Sequence, residues 1–314
     1  MRCDLHVHSL WSGRADIPLL SHFGNESYST PRAVYDRCHA VGMDLVTITD
    51  HDTIEGALEI AGLPGTFVSE EVTVYLPGER HLHVGVLDID QRQHARITDL
   101  RRDADAFFAY CAEQHIPVCV NHPFSSSTGA RLTTDFQSAL RRGVLVETLN
   151  GMMPHEANHY AAWAAEEAGL SGIAGSDAHT LASIGRAYTQ VPGARSRAEF
   201  LDGLRQGSAI PCGRCGSYAR LTADVMRVFG LAYAANLRQK HRSTLAALRL
   251  AALLAMGPGL PLIPLITAVQ YGRDRLFAAT HFARLRAASG GIFRPWRPRA
   301  GAAVGASAPA GAVG

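Results

Sequence analysis

The sequence predicts an α/β fold followed by a helical extension, and three observations lead to that prediction. Short apolar runs alternate with helical patterns over the first two thirds of the 314 residues, which is typical of βα units. Past residue 212 the acids nearly vanish, and Ala, Leu and Arg fill a helical stretch at about 218–255. Charge divides the same way: residues 1–214 hold 17 Arg and 26 acids, and residues 215–314 hold 13 cations and two acids.

Apolar runs with strand character recur at spacings that leave room for a helix between most of them. These runs are residues 2–5, 45–48, 72–75, 82–86, 117–120, 144–148 and 172–174. Helices are predicted at 30–42, where Thr30 precedes Pro31 and Gly42 ends the pattern, at about 154–168, and at 196–206. About seven strands with helices between them favour a parallel sheet or a barrel.

Lysine is almost absent, which excludes several classes of enzyme. Arg supplies 29 of the 30 cations, and the one lysine, Lys240, lies in the basic stretch. A P-loop needs a lysine on its phosphates, a kinase needs a strand lysine, and a Schiff-base enzyme needs an amine. By contrast, 13 of the 15 histidines precede residue 180, so imidazole chemistry is favoured there.

The six cysteines are scattered, which predicts reduced thiols in a cytoplasmic compartment. Cys212 and Cys215 have the spacing of a metal or redox pair, but no second pair accompanies them, so ordinary thiols are favoured. The first residues lack the apolar stretch of a secretion signal, and none is expected.

Five apolar runs end in side chains that can ligate metals. They read Asp4-Leu5-His6-Val7-His8, Thr49-Asp50-His51-Asp52, Leu82-His83, Asn121-His122-Pro123 and Ser176-Asp177-Ala178-His179. In a βα barrel the carboxyl ends of the strands share one face, so these residues are expected to converge. One run alone would be weak evidence, but five in register would be costly to bury without an ion. Imidazoles with a few carboxylates suit Zn, Mn or Fe.

Four of these runs resemble, in order, the motifs of the PHP (polymerase and histidinol phosphatase) family of metal-dependent phosphoesterases. The likeness spans about residues 1–212. It implies a distorted seven-stranded (β/α)7 TIM-like barrel, with two or three divalent metal ions at the carboxyl ends of the strands. A polymerase module is not expected, because the residues after the barrel are too few for one.

The resemblance also implies a set of metal ligands. For the first ion they are His6, His8, Glu71 and Asp177. Glu71 would bridge to a second ion that His83 and His122 complete, although Glu70 and His81 leave the register open. His51 and His179 would belong to a third ion.

The third position departs from the family pattern. Similar proteins have an Asp in a Ser-Asp-Gly run just after the first motif, where this sequence reads Ser12-Gly13-Arg14. Gly13 cannot ligate, so the third ion is expected to be bound more weakly, to be completed by substrate or water, or to be rescued by Asp16. The pair bridged by Glu71 is unaffected.

The chemistry implied is metal-assisted hydrolysis of a phosphate ester, in which two ions lower the pKa of a shared water that attacks phosphorus. Catalytic roles are predicted for His51, His179 and Glu71, with an imidazole that is not a ligand protonating the leaving oxygen. Many amidohydrolases bridge their metals with a carbamylated lysine, which residues 1–239 cannot supply. The expected substrate is a nucleotide-like or other small phosphorylated metabolite, or a short oligonucleotide.

Phosphate binding requires fixed cations and hydroxyl donors. Arg186 is the first candidate, with Arg14 and Arg131 behind it, and Ser125 is a candidate donor to phosphate oxygens. A surface role for the arginines and a turn for Ser125 are the alternatives. Glu26, which lies just before the first predicted helix, is expected either to help close the site or to cap the helix.

Three domains are expected: a metal-dependent phosphoesterase domain at 1–212, a basic apolar helical extension at 213–290 and a disordered tail at 291–314. Residues 250–269 carry no charge, but Pro258, Pro261 and Pro264 break them into two short halves. Packing on protein is favoured, then peripheral contact of residues 240–286 with an anionic inner-membrane surface, then spanning. The alternative function is a catalytically weak metal-binding module with a regulatory or scaffold role.

Overall fold

The fold is described by a computed structural model over residues 1–13, 25–78, 80–127, 145–238 and 261–288. Over these ranges the protein is α/β, with nine strands and eight helices. The strands are β1 (Arg2–Asp4), β2 (Leu45–Val46), β3 (Ser69–Leu76), β4 (Arg80–Leu87), β5 (Val118–Val120), β6 (Leu145–Asn150), β7 (Gly172–Gly175), β8 (Ala187–Gln190) and β9 (Ile210–Gly213). The helices are α1 (Pro31–Ala40), α2 (Glu55–Ile60), α3 (Gln91–Leu100), α4 (Ala104–Glu113), α5 (His155–Glu167), α6 (Arg197–Arg205), α7 (Tyr218–Arg238) and α8 (Ile263–Ala288).

The strands form two sheets. One has the order β2-β1-β8-β9, and the other has the order β3-β4-β5-β6-β7. Isolated parallel bridges link the sheets at Val7 with Ala178, at Val46 with Thr66 and at His51 with Glu71. The described residues do not close into one continuous ladder, so the seven-stranded barrel is not confirmed.

Not every neighbouring pair of strands is parallel. Strands β5, β6 and β7 pair in parallel, and the predicted alternation of strand and helix holds from β6 through α5 to β7. It fails at β3, which pairs antiparallel with β4 over eight residues, and β4 in turn is antiparallel to β5. A short turn at Gly78 joins β3 to β4, so no crossover helix can form there.

The three helices predicted with their ends are confirmed. The Thr30 side chain accepts a hydrogen bond from the backbone N–H of Ala33 at the start of α1, and Pro31 occupies its first position. Ser196 caps α6 in the same way, through Glu199 N–H. These caps satisfy backbone donors that the first turn of a helix cannot pair internally.

Helix α8 is longer than the apolar run at 250–269 that predicted it. It runs unbroken from Ile263 to Ala288, and the first of the two halves predicted from the prolines lies outside the described residues. Pro264 lies in its first turn, where the missing N–H breaks no helical hydrogen bond. Residues 239–260, which include Lys240 and Pro258, and the predicted tail at 291–314 lie outside the described residues.

The helical extension shares its core with the sheets. Ala278 and Leu285 of α8 belong to the apolar cluster that includes Phe107 of α4 and Trp163 of α5. The ring of Phe282 stacks on Tyr160 with centroids 4.1 Å apart. Nothing in the described ranges tests the predicted boundary at 212. No helix within those ranges is long and apolar enough to cross a bilayer.

Candidate metal centre

The predicted ligands lie on β3, on β4 and in the loops after β1, β2, β5 and β7, and they surround one buried carboxylate, Glu71 of β3. Its two oxygens face different imidazoles. Oε2 lies 3.3 Å from Nε2 of His6 and 3.2 Å from Nδ1 of His51. Oε1 lies 3.1 Å from Nε2 of His122 and 3.4 Å from Nδ1 of His83. One carboxylate therefore presents an oxygen to each of two neighbouring histidine groups.

Beside the first group lies Asp177, in the loop after β7. Its Oδ1 lies 3.5 Å from Nε2 of His6 and 3.3 Å from Nε2 of His8. His6, His8 and Asp177 present ligand atoms close enough to hold one ion. Glu71 belongs to two further groups whose ligand atoms are close enough to hold an ion. One group includes His6 and His122, and the other includes His51 and His83.

A close approach of two backbones places His6 beside the loop that carries Asp177. A Cβ added to Gly175 would lie 2.2 Å from Cβ of His6. Asp4 fastens the same two segments, since its carboxylate accepts hydrogen bonds from Ser176 N at 2.8 Å and from Gly185 N at 2.8 Å. Asp4 therefore holds the chain segment of the first motif, to which it belongs, against the segment of the last motif.

The structure resolves the register of strand β3. Glu71 faces the histidines, whereas Glu70 accepts a hydrogen bond from Nδ1 of His94 at 2.9 Å. Successive side chains of a strand point to opposite faces, so only one of the two can enter the cluster. On β4 it is His83 that contacts Glu71, and His81 lies beside Tyr75.

Glu26 lies between His51 and His179, the two histidines predicted for the third ion. It is 7% exposed, and its Oε1 lies 3.4 Å from Nε2 of His51. Its Oε2 lies 3.6 Å from Nε2 of His179. Glu26 forms a further group with His8 and His51 that could hold an ion. The sequence predicted that Glu26 closes the site or caps the helix, and it did not predict Glu26 as a ligand. Asp16, which was expected to replace the missing ligand at Gly13, lies outside the described residues.

Glu147 of β6 was missed altogether, and it orients two of the histidines. Its Oε1 accepts a hydrogen bond from Nδ1 of His6 at 2.9 Å. Its Oε2 accepts the backbone N–H of His122 at 2.8 Å. A carboxylate on the far nitrogen fixes the tautomer and the ring orientation of a ligating histidine. The sequence signal was an acid inside an apolar strand, where an unpaired charge would be costly.

Charges in the cluster shift the pKa values of its members in opposite directions. Burial alone would raise the pKa of Glu71, but the imidazoles of His6, His83 and His51 outweigh it and hold that pKa well below its usual range. Burial opposes the shift of Glu26 too, yet His51 and His179 lower its pKa to about 2. The converse holds at His179, where burial lowers the pKa but Glu26 raises it to about 9.

The donor set fits divalent ions. Nε2 of His8, Oε1 of Glu26 and Nδ1 of His83 are buried and make no hydrogen bond within the described ranges. A buried polar atom without a partner costs free energy, and cations bound in the cluster would give these three atoms partners. Imidazole nitrogens with carboxylate oxygens are the ligands that Zn, Mn and Fe accept.

Of the four predicted substrate-binding residues, two lie within the described residues. Ser125 lies in the turn after His122, where its N–H donates to the His122 carbonyl at 2.8 Å. The pKa of Arg186 falls to about 10 through burial and the charge of Arg220, and Asp224 and Arg214 also lie near it. Arg14 and Arg131 lie outside the described residues. The catalytic and binding roles of all these residues stay predictions.

One family model matches a part of this sequence. Residues 155–209 match the family model described as PHP-associated. The match supports the PHP family. The matched segment contains α5, β7 and α6, and therefore Asp177 and His179 of the last motif. Among functionally curated proteins, none matches this chain.

Solved structures similar to this chain include PsfC from Pseudomonas syringae PB-5123. It has a TM-score of 0.50 and 17% identity, and the match covers 73% of this chain and 98% of PsfC. At that identity the likeness shows a shared fold. Weaker likenesses are to an amidohydrolase from Chromobacterium violaceum with bound sulfate and no metal (TM-score 0.45, 18% identity, 67% and 98% covered), and to a protein from Bifidobacterium adolescentis assigned as a metal-dependent phosphoesterase (TM-score 0.39, 17% identity, 57% and 87% covered).

Proposed function

We propose that this chain is a metal-dependent phosphoesterase that hydrolyses a small phosphorylated metabolite, nucleotide-like or other, or a short oligonucleotide. The observation that carries the proposal is the two-sided carboxylate of Glu71, with His6 and His51 at one oxygen and His83 and His122 at the other. We further propose that seven of the nine strands in the two sheets form the distorted barrel, which the bridges between the sheets support.

The chain's own residues divide the work of such a reaction. Bound at Glu71, divalent ions would supply Lewis acidity to a water and to the phosphoryl oxygens. Glu71 and Asp177 provide the negative charge that holds cations in a buried site. Where the third ion is absent, His179 carries a proton near neutral pH and can protonate the leaving oxygen. The metal is proposed to be Mn, Zn or Fe.

The experiment is a hydrolysis assay on protein freed of metal and reloaded separately with Mn, Zn and Fe. The substrates are p-nitrophenyl phosphate, bis(p-nitrophenyl) phosphate, a nucleoside bisphosphate and an N-acyl amino acid. We expect turnover of a phosphate ester that needs metal and that His122→Ala abolishes. Turnover of the amide alone would make the chain an amidohydrolase. If no substrate reacts and His122→Ala equals the wild type, the weak metal-binding module is the better account.

We propose a third ion at Glu26, which supplies the carboxylate that Gly13 cannot. Elemental analysis after gel filtration is expected to give three ions for the wild type and two for Glu26→Gln. Glu59→Gln is the matched control, because Glu59 accepts a hydrogen bond from Trp11 away from the histidines and should leave the count unchanged. Two ions in both proteins would remove the third site.

The proposed peripheral contact with anionic membranes keeps one supporting observation. Leu262, just before α8, and Leu265, Ile266 and Val269 of its first turns lie at positions i, i+3, i+4 and i+7, on one face, and are 53%, 62%, 41% and 57% exposed. Such a face can enter a headgroup layer, and the basic charge of the extension favours anionic lipid. The full chain should sediment with phosphatidylserine vesicles at low salt, and Leu265→Gln with Val269→Gln should weaken this several-fold. Ile210→Gln, on strand β9, is the control. Equal sedimentation of all three proteins would contradict the contact.

A further inference from the structure

The basic extension contains two acids, Asp224 on α7 and Asp274 on α8. Acids in a basic surface segment would be expected to lie exposed among its arginines. Both of these acids are instead buried, at 3% and 7% exposure. A buried carboxylate is retained only when hydrogen bonds compensate for its lost hydration. The partners of these two residues therefore show what the extension does.

Asp274 binds the loop that follows His122. Its Oδ1 accepts the backbone N–H of Ser126 at 3.0 Å. Its Oδ2 accepts from Nε2 of Gln270 at 3.1 Å, and Gln270 also reaches the Ser126 hydroxyl at 3.3 Å. Ser126 is buried and lies four residues past His122. One turn of α8 therefore holds the loop through both its backbone and its side chain.

The short segment between His122 and Ser126 connects the contact of Asp274 with His122. His122 has a φ of +27°, which a non-glycine residue adopts only when its surroundings hold it there. Its N–H is fixed by Glu147, and its carbonyl accepts from Ser125 N at 2.8 Å. Asp274 accepts the backbone N–H of Ser126, the residue that follows Ser125. The backbone around His122 is thus fastened on one side by β6 and on the other by α8.

Asp224 makes the equivalent contact with the loop after His179. Its Oδ2 accepts from the hydroxyl of Ser183 at 2.6 Å, and its Oδ1 accepts from the hydroxyl of Thr180 at 3.3 Å. Thr180 follows His179 directly, and both hydroxyl residues are buried. Arg227, one turn further along α7, donates to Oδ1 at 2.8 Å and holds the carboxylate in place.

We infer that α7 and α8 are part of the metal centre, with Asp274 a positioning residue for His122 and Asp224 a positioning residue for His179. The inference rests on the proposed function only in requiring that these histidines bind metal, and it holds whatever substrate is hydrolysed. Asp274 binds the backbone of one ligand-bearing loop, Asp224 binds two side-chain hydroxyls of the other, and neither acid touches a ligand directly. Removing either would let its histidine leave the geometry that an ion needs.

Another contact of α8 provides a matched control. Arg275, next to Asp274, pairs with Glu156 of α5. This ion pair also fastens α8 to the rest of the protein, but it reaches no loop that carries a predicted ligand. A variant Glu156→Gln therefore removes an anchor of the extension and leaves the ligand loops untouched.

The test measures zinc affinity of the full chain by competition with a chromophoric chelator, without any substrate. Asp274→Ala and Asp224→Ala are each expected to weaken zinc binding about tenfold, and Glu156→Gln to change it less than twofold. Asp274→Ala should also weaken binding about tenfold in a His179→Ala background, but should have no further effect where His122 is already alanine. For Asp224→Ala the dependence on the two backgrounds should be reversed.

A brace that only stabilises the fold would behave differently. All three anchor variants would then lower the melting temperature alike, and their effects on zinc binding would be below twofold and independent of the histidine backgrounds. That result overturns the inference. Absence of phosphatase activity with the affinity pattern intact would instead refute the proposed function and leave this inference standing.

Discussion

Replacing Glu71 by glutamine is expected to lower hydrolytic activity by at least about 10³-fold, because the rate depends on charge placed at the reacting group. The amide retains the shape of the side chain but has one oxygen and no charge. It can no longer present an anionic oxygen both to His6 and His51 and to His83 and His122. Bound metal should fall by at least one ion per chain, measured by elemental analysis on the same sample that is assayed.

Glu70→Gln is the control for this variant. Glu70 is the adjacent residue of β3 and is equally buried, but it hydrogen bonds to His94 on the opposite face. Its loss should cost stability comparable to other buried polar changes, about 1–3 kcal/mol, while activity and metal content per folded molecule stay within twofold of the wild type. Equal losses in both variants would mean that Glu71 supports the fold and does not bridge ions.

Sequence patterns predicted the ligand types and most of the strand ends that carry them, because both depend on local features, but His83 lies inside β4 and not at its end. The His6 and His8 pair, for example, comes just after β1, and β7 ends immediately before the Asp177 loop. Patterns could not fix which partner each strand takes. The hairpin of β3 and β4 has no crossover helix, and antiparallel pairing there depends on contacts with β5 that no window of sequence contains.

Within the site, the residues missed are those whose role depends on distant chain segments. Glu26 lies 25 residues before His51 and approaches it only because both enter the same cluster. Glu147 reaches back across 141 residues to His6. Whether Glu70 or Glu71 faced the cluster was undecided from sequence, since a shift of one residue reverses the faces of a strand. The extension showed the same limit: its two acids looked incidental until their partners were known.

The metal-free protein is expected to lose stability as pH rises from about 6.5 to 9, while the metal-loaded protein gains it. In the metal-free state carboxylates raise the pKa of His179 to about 9, and those of His6 and His122 are also raised. Groups with a raised folded pKa stabilise fully below their unfolded value of about 6.5, and the contribution is lost as pH passes the folded value. His179 alone accounts for about 3 kcal/mol.

Other members of the cluster act outside this window. Burial lowers the pKa values of His8 and His83, and their effect is confined to pH below about 6.5. The stabilising charge of Glu26, whose pKa falls to about 2, is lost only as pH falls from about 4.5 towards 2. The metal-free protein should therefore be most stable at about pH 5 to 6.5. Bound ions reverse the slope above it, since protons compete with metal for the same imidazoles.

Urea unfolding at pH 6, 7.5 and 8.5, with chelator-treated and zinc-loaded protein, measures both slopes. Glu26→Gln provides the internal check. It removes the carboxylate that raises the pKa of His179, so the metal-free slope should become shallower in that variant. His39→Ala should leave the slope unchanged, because His39 bonds the Met43 carbonyl away from the cluster. A metal-free protein that grows more stable as pH rises would show that these imidazoles are neutral when folded, and that the buried carboxylates are compensated by hydrogen bonds instead of by protonated histidines.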